Sequence, residues 1–193
     1  MKNIDILLFD DFTALDAFGP AEVLGSLEGF SLRFVSAGGG EVSNHLGLRV
    51  MTERLEPAEE RFALLVPGGF GTRAAVKDGE LLAKTAEAAA NSEYVLSVCT
   101  GSAMLAAAGI LDGLRATSNK RAFDWAAGCG PAVNWDRQAR WVRDGRVFTS
   151  AGVSAGIDMA LGFVSEIFGD EKADEIARRI EYHRNADADR DIF

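Results

Sequence analysis

The chain has 193 residues, 48% hydrophobic and 25% charged, a balance that predicts one globular domain over residues 1–193 built on one core. Its formal net charge is −9, and with no basic cluster to offset the excess it repels phosphate backbones and anionic bilayers, so neither nucleic acid nor membrane is expected as a partner. The first apolar run, Ile6 to Phe9, is too short for a signal peptide, and no stretch reaches the roughly 18–20 apolar residues of a membrane span, which predicts a cytoplasmic protein.

In that compartment the two cysteines, Cys99 and Cys129, are expected as free thiols. Neither has a nearby Cys or His partner in the sequence, and His45 and His183 lie far off, so no metal site is expected. No cofactor fingerprint is present either.

Taken in chain order, Ile4 to Phe9 is a buried strand bounded by Asp10 and Asp11. Thr13 to Leu24 has helical spacing, with Pro20 acceptable only close to a helix start. Ser31 to Ser36 is a second strand, followed by a hairpin-like stretch from Glu41 to Thr52. Phe62 to Val66 is a third buried strand, stopped by Pro67-Gly68-Gly69-Phe70-Gly71. A helix from Gly79 to Ala90 leads to a fourth core strand, Tyr94 to Val98, and a small-residue helix, Gly101 to Ala108, ends at Gly109. A short helix is predicted over Arg121 to Ala127, and Asp144-Gly145 joins two strands in a tight hairpin. Ser154 to Phe168 and Glu171 to Tyr182 are helices, and the polar tail from His183 to Phe193 reads as extended. Alternating strands and helices in short units specify an α/β fold with a mostly parallel sheet covered on both faces. Such sheets bind ligands outside the carboxyl ends of their strands.

Candidate chemistry gathers at those ends. In Val98-Cys99-Thr100-Gly101-Ser102 a buried strand runs straight into a Cys and then a small-residue helix, the logic of a nucleophile elbow. A thiol there meets a helix N-terminus, which is expected to lower its pKa. The competing reading is a small buried hydrophobe. Thr100 follows Cys99, so the adjacent residue cannot act as a base, and both histidines read as surface residues. Asp16, enclosed by Leu15, Ala17 and Phe18, is a carboxyl whose burial would raise its pKa; it could equally be a helix cap. Gly68 and Gly69 could bring backbone N–H groups close to a ligand, or simply form a turn.

Together these motifs resemble the ThiJ/PfpI superfamily: Asp16 in Leu-Asp-x-x-Gly-Pro, Val-Pro-Gly-Gly-x-Gly from Val66, Val-Cys-Thr-Gly-Ser from Val98, the run Ala107 to Thr117, and Ser154-Ala155-Gly156-Ile157-Asp158. The order is kept over nearly the whole chain, and the isocyanide hydratase branch is most similar. The resemblance implies a flavodoxin-like three-layer sandwich, class I glutamine-amidotransferase-like, in a homodimer acting on a small-molecule substrate. It implies Cys99 as nucleophile and Asp16 as the acid beside it. Backbone groups of Gly69 and Thr100 would lie near an oxyanion, and Gly68, Thr100, Gly152 and Val153 would contact substrate.

The implied reaction adds water to an isocyanide through a Cys99 thioimidate. Another Cys-dependent hydrolase or deglycase, or a thiol oxidation sensor, would use the same elbow. Thr100 departs from the Cys-His of the superfamily's proteases and amidases. The superfamily's regulators carry an appended helix-turn-helix domain, which is not expected here. Two segments differ from the hydratases: Thr117-Ser118-Asn119-Lys120, where they commonly have Thr-His-Trp, and the tail from Tyr182-His183-Arg184-Asn185.

Overall fold

The computed structural model describes residues 2–193. In chain order the elements are β1 (Lys2–Leu7), α1 (Ala14–Leu24), β2 (Phe30–Ser36), β3 (Gly40–Ser43), β4 (Arg49–Arg54), β5 (Arg61–Val66), α2 (Thr72–Ala75), α3 (Gly79–Ala90) and β6 (Ser92–Val98). Then follow α4 (Gly101–Ala107), β7 (Arg115–Ala116), α5 (Phe123–Gly128), β8 (Asn134–Trp135), β9 (Trp141–Asp144), β10 (Val147–Ser150), α6 (Ala155–Phe168) and α7 (Asp170–Arg179).

The main sheet runs β3-β4-β2-β1-β5-β6-β10-β9. Its interior pairings are all parallel, and only the edge pairs β3–β4 and β9–β10 are antiparallel. Helices α1, α6 and α7 pack together, as do α2, α3 and α4, and the two groups flank the sheet. This is the α/β fold with a covered, mostly parallel sheet that the sequence predicts, in the flavodoxin-like three-layer form that the resemblance implies. The central strands explain the architecture: β5 is buried at every residue, and β1 and β6 are buried along their carboxyl-terminal halves. Strands apolar on both faces need helices on both sides. The core is continuous, from Ile4, Ile6 and Leu64 in the sheet to Met104 in α4 and Phe163 in α6.

The central strands β1, β5, β6 and β10 are consecutive neighbours, so their carboxyl ends lie side by side. Residues Asp16, Gly68, Cys99 and Val153 follow those strands in turn. The first two connections are interlocked. Phe12 bridges to Gly69, Thr13 N–H donates to the Gly68 carbonyl at 2.9 Å, and Gly71 N–H donates to the Asp11 carbonyl at 3.2 Å. A side chain on Gly71 would begin 1.9 Å from the Asp10 carbonyl oxygen, so only glycine permits this crossing.

Several elements depart from the sequence reading. β1 stops at Leu7, although Leu8 and Phe9 stay buried. Pro20 lies inside α1 and not near its start; lacking an N–H, it leaves the Asp16 carbonyl without its helical donor. The short helix begins at Phe123, because Asn119 Oδ1 accepts from Ala122 N–H at 3.0 Å and holds the preceding residues in a turn. α7 ends at Arg179, short of Tyr182. The tail is irregular yet anchored: Asn185 N–H donates to Asp158 and Arg140 pairs with both Asp158 and Asp191. α2 and the small β7–β8 sheet are too short to carry a periodic signal.

At the opposite end of the sheet, buried Asp5 accepts from Arg33 Nε at 2.8 Å and from Arg61 Nε at 2.9 Å. Arg61 is only 3% exposed. Asp5→Ala would strand that guanidinium without its counter-charge, and a loss of about 3–5 kcal/mol is expected. Urea unfolding followed by circular dichroism measures it, and a loss below about 1 kcal/mol would contradict the assignment of a stabilising buried pair.

Candidate active site

Cys99 sits between β6 and α4 with φ +58, a left-handed conformation that few non-glycine residues adopt. Tertiary contacts hold it there. Its N–H donates to the Ser150 and Ala151 carbonyls at 3.1 and 3.2 Å, and its carbonyl accepts from the Ser102 and Ser118 hydroxyls, each at 3.0 Å. A Cβ on Gly101 would lie 2.2 Å from the Val66 carbonyl oxygen, and one on Gly68 would lie 2.8 Å from Cys99 Cβ. Small residues are therefore required on both sides of the elbow.

Asp16 lies in the first turn of α1 and is fully buried. Its Oδ2 accepts from Gly68 N–H at 3.0 Å, while Oδ1 has no hydrogen-bond partner among the described residues. The carboxyl and the Cys99 thiol neighbour each other and perturb each other's ionisation. Burial pushes the Asp16 carboxyl up to about 7, against the lowering effects of Gly68 N–H and the thiol. Burial, aided by the charge of Asp16, pushes the thiol up to about 12. The N–H groups of Thr100 and Val153 oppose that rise and are outweighed. This corrects the expectation of a depressed thiol pKa. α4 is a short helix and Cys99 is only 6% exposed at the base of its cavity, so desolvation exceeds the dipole. The resting pair at neutral pH is a thiol beside a carboxyl poised to exchange its proton.

The oxyanion expectation also changes. Gly69 N–H is engaged by Thr100 Oγ1 at 3.1 Å. Thr72 Oγ1 lies 3.1 Å from Thr100 Oγ1 and donates to the Gly69 carbonyl at 2.7 Å, so Gly69 is locked into a hydroxyl network. Thr100 and Val153 supply the amides that face the sulfur. Val153 has φ +47, unusual for a β-branched residue, and this aims its N–H into the site. Gly152 acts as a seat: a Cβ there would fall 2.2 Å from Asn119 Nδ2.

A cavity of about 390 Å³ opens over Cys99, lined by Thr13, Gly69, Phe70, Arg73, Thr100, Asn119, Arg121, Ala122 and Val153. A larger cavity of about 560 Å³ lies near the amino ends of β1, β5 and β6 around Arg61 and Ser92, with neither cysteine nor histidine in its lining. The Cys99 cavity is where a parallel sheet places its ligand. Neither His45 nor His183 lines it, and both are exposed. Cys129 lies elsewhere, its thiol donating to the Trp125 carbonyl at 3.5 Å. Asn119 belongs to the segment Thr117 to Lys120 that the sequence marks as a departure from the hydratases. Arg73 and Arg121 escaped the sequence reading because single polar residues in a four-residue helix and in a connection have no periodic or motif signature. Among the described residues no group of three or more His, Cys, Asp or Glu side chains is gathered as a metal site.

Residues 2–166 match the model of the DJ-1/PfpI family. The chain belongs to the DJ-1/PfpI family. It is 37% identical over 181 residues to an isonitrile hydratase of Pseudomonas putida, covering 93% of this chain and 78% of that protein. An HTH-type transcriptional regulator of Pseudomonas aeruginosa, CdhR, is 32% identical over 146 residues, 75% of this chain but 43% of the regulator. A crystal structure of a ThiJ/PfpI family protein from Pseudomonas syringae superposes with a TM-score of 0.86 at 35% identity, covering 95% of this chain and 76% of that one. As in the sequence reading, hydratase-like and regulator-like relatives share this domain. No helix among the described residues is long and apolar enough to cross a membrane.

The raised Asp16 pKa has a stability consequence. A carboxyl at about 7 when folded, against about 4 when unfolded, holds its proton more tightly in the native state. Its contribution to stability is full below pH 4 and is lost as pH rises to 7. Asp16→Asn keeps an acceptor for Gly68 N–H but cannot ionise. The variant is expected to gain stability relative to wild type as pH goes from 4 to 8, by up to about 4 kcal/mol. Urea titrations at the two pH values test this, and parallel pH dependences would show that Asp16 is not held neutral by the fold.

Proposed function

We propose that the protein hydrates isocyanides to N-substituted formamides, with Cys99 as nucleophile and Asp16 as the group that moves each proton. The observation that carries this reading is the buried Cys99–Asp16 pair with no histidine in the cavity lining. The similarity to an isonitrile hydratase supports the substrate class.

The ionisation pattern suits the chemistry. Hydration of an isocyanide requires its terminal carbon to gain both a nucleophile and a proton. Asp16 takes the thiol proton as sulfur attacks, and returns it to the former isocyanide carbon, giving a thioimidate, S–CH=N–R. Water then adds across C=N, its oxygen to carbon and a proton to nitrogen, with Asp16 passing the proton. The hydroxyl proton leaves through Asp16 as the C–S bond breaks, releasing R–NH–CHO and restoring the thiol. No amine leaves and no acyl oxyanion needs a pair of donors, which fits a site whose Gly69 N–H is already engaged.

A carboxyl near 7 is matched to this alternation between acid and base at neutral pH. Assembly as a homodimer in the cytoplasm, where a free thiol stays reduced, completes the proposal. Light scattering is expected to give twice the 20.6 kDa chain mass.

Turnover is tested with alkyl and aryl isocyanides, scoring formamide by mass spectrometry alongside dicarbonyl and peptide controls. Cys99→Ser is expected to abolish it. Asp16→Asn is expected to lower kcat by roughly two to four orders of magnitude while the fold survives. With wild type, kcat/KM is expected to rise with pH through about 7 as the Asp16 carboxylate forms. Isocyanide turnover that persists in Cys99→Ser, or near wild-type rates in Asp16→Asn, would overturn the mechanism.

A further inference from the structure

The cavity over Cys99 is lined by positive charge in a protein whose net charge is −9. Arg73 and Arg121 both line it, Asn119 stands beside them, and no acidic side chain does. Among the described residues neither guanidinium meets a carboxylate, whereas Arg33, Arg61, Arg115 and Arg140 are each paired. Arg73 is positioned by aromatic faces instead, its guanidinium carbon 4.8 Å from the Phe70 ring centre and 4.6 Å from that of Trp125. Stacking occupies the faces of a guanidinium and leaves its edge N–H donors free. The neighbouring cation is disposed differently: Lys120 Nζ is spent on Thr117 Oγ1 and the Ala139 carbonyl. Of Lys120 and Arg121, the arginine is the one left to the cavity, and it follows the segment that departs from the hydratases this chain resembles.

We propose that Arg73 and Arg121 are specificity residues that select a small substrate bearing a carboxylate alongside its reacting carbon. The anion sits in the mouth of the cavity against the free edges of the two guanidiniums, with the reacting carbon toward Cys99. Neither arginine takes part in bond making; they supply charge-assisted hydrogen bonds to the unreacting end. This deepens the isocyanide reading and rests on Cys99 as the reacting group, but not on the reaction being a hydration.

The test therefore has an arm independent of turnover. Iodoacetate and iodoacetamide are nearly isosteric and differ in charge; with each, the Cys99 sulfur displaces iodide. The iodoacetate-to-iodoacetamide rate ratio at Cys99, read by mass spectrometry, is expected to exceed that of N-acetylcysteine by about tenfold or more at low ionic strength, the worth of one charge-assisted hydrogen bond. It is expected to fall towards the free-thiol ratio in 1 M salt. Arg73→Gln and Arg121→Gln should each collapse the preference, and Arg73→Lys should keep part of it. Arg49→Gln, at an arginine paired with Glu41 on the edge hairpin, should leave it intact. Arg121 is exposed, so its variant carries the test if Arg73→Gln fails to fold. A ratio equal to that of N-acetylcysteine, or one that ignores both arginines, overturns the proposal.

The second arm compares kcat/KM for isocyanoacetate and its methyl ester. Hydration of both with no preference for the acid overturns the anion reading and leaves the hydratase reading standing. Hydration of neither, with the alkylation preference intact, overturns the hydratase reading and upholds the anion site.

Discussion

The joint burial of the Asp16 carboxyl and the Cys99 thiol beside Gly68 is the constraint around which the carboxyl end of the sheet is arranged. Two ionisable groups are buried side by side with a single backbone N–H, that of Gly68, as a firm donor to the carboxyl. Neither can carry charge cheaply in that setting, so each shifts toward its neutral form. A carboxyl held near neutrality and a thiol held protonated form one proton-exchanging unit. Its balance depends on continued exclusion of water by the surrounding fold.

Much of the local backbone can be traced to that requirement. Cys99 and Val153 both take up positive φ, and both strained residues aim at the same point from different strands. The strain is held by bonds that cross the sheet, from Cys99 N–H to the carbonyls that end β10 and from the hydroxyls of Ser102 and Ser118 to the Cys99 carbonyl. The glycines around it are steric necessities: Gly68, Gly71 and Gly101 each lie where a Cβ would collide with main chain. Gly69 is not an open donor in this arrangement, because Thr100 and Thr72 bind it into the loop that supports the elbow.

The outer wall of the cavity follows other rules. Cys99 directly follows β6 and Asp16 lies in the first turn of α1, both buried where small shifts are resisted by packing. Arg73, in the four-residue α2, is placed by aromatic stacking, and Arg121, in the connection before α5, by turn geometry. A rigid buried pair with a more variable rim allows the pair to be kept while the ligand changes. That division fits a family in which a hydratase and a transcriptional regulator are both similar to this chain.

The sequence by itself determined the layered α/β fold, because the buried runs at β1, β5 and β6 are apolar enough to demand helices on both faces. It also marked Cys99 and Asp16, since a strand that runs directly into Cys-Thr-Gly-Ser and an acid enclosed by apolar residues are visible in one dimension. Pro20 inside α1, the early end of α7 and the anchoring of the tail were decided by packing that local propensity does not encode. The sign of the thiol shift was likewise a tertiary matter. A helix start is readable from sequence, but the depth of burial that outweighs it is a property of the assembled core. The engagement of Gly69 and the presence of Arg73 and Arg121 in the cavity that Cys99 lines were also left to the fold. Each joins residues distant in the chain whose meeting depends on the crossing of loops at the sheet's carboxyl end, and no spacing along the chain records that crossing.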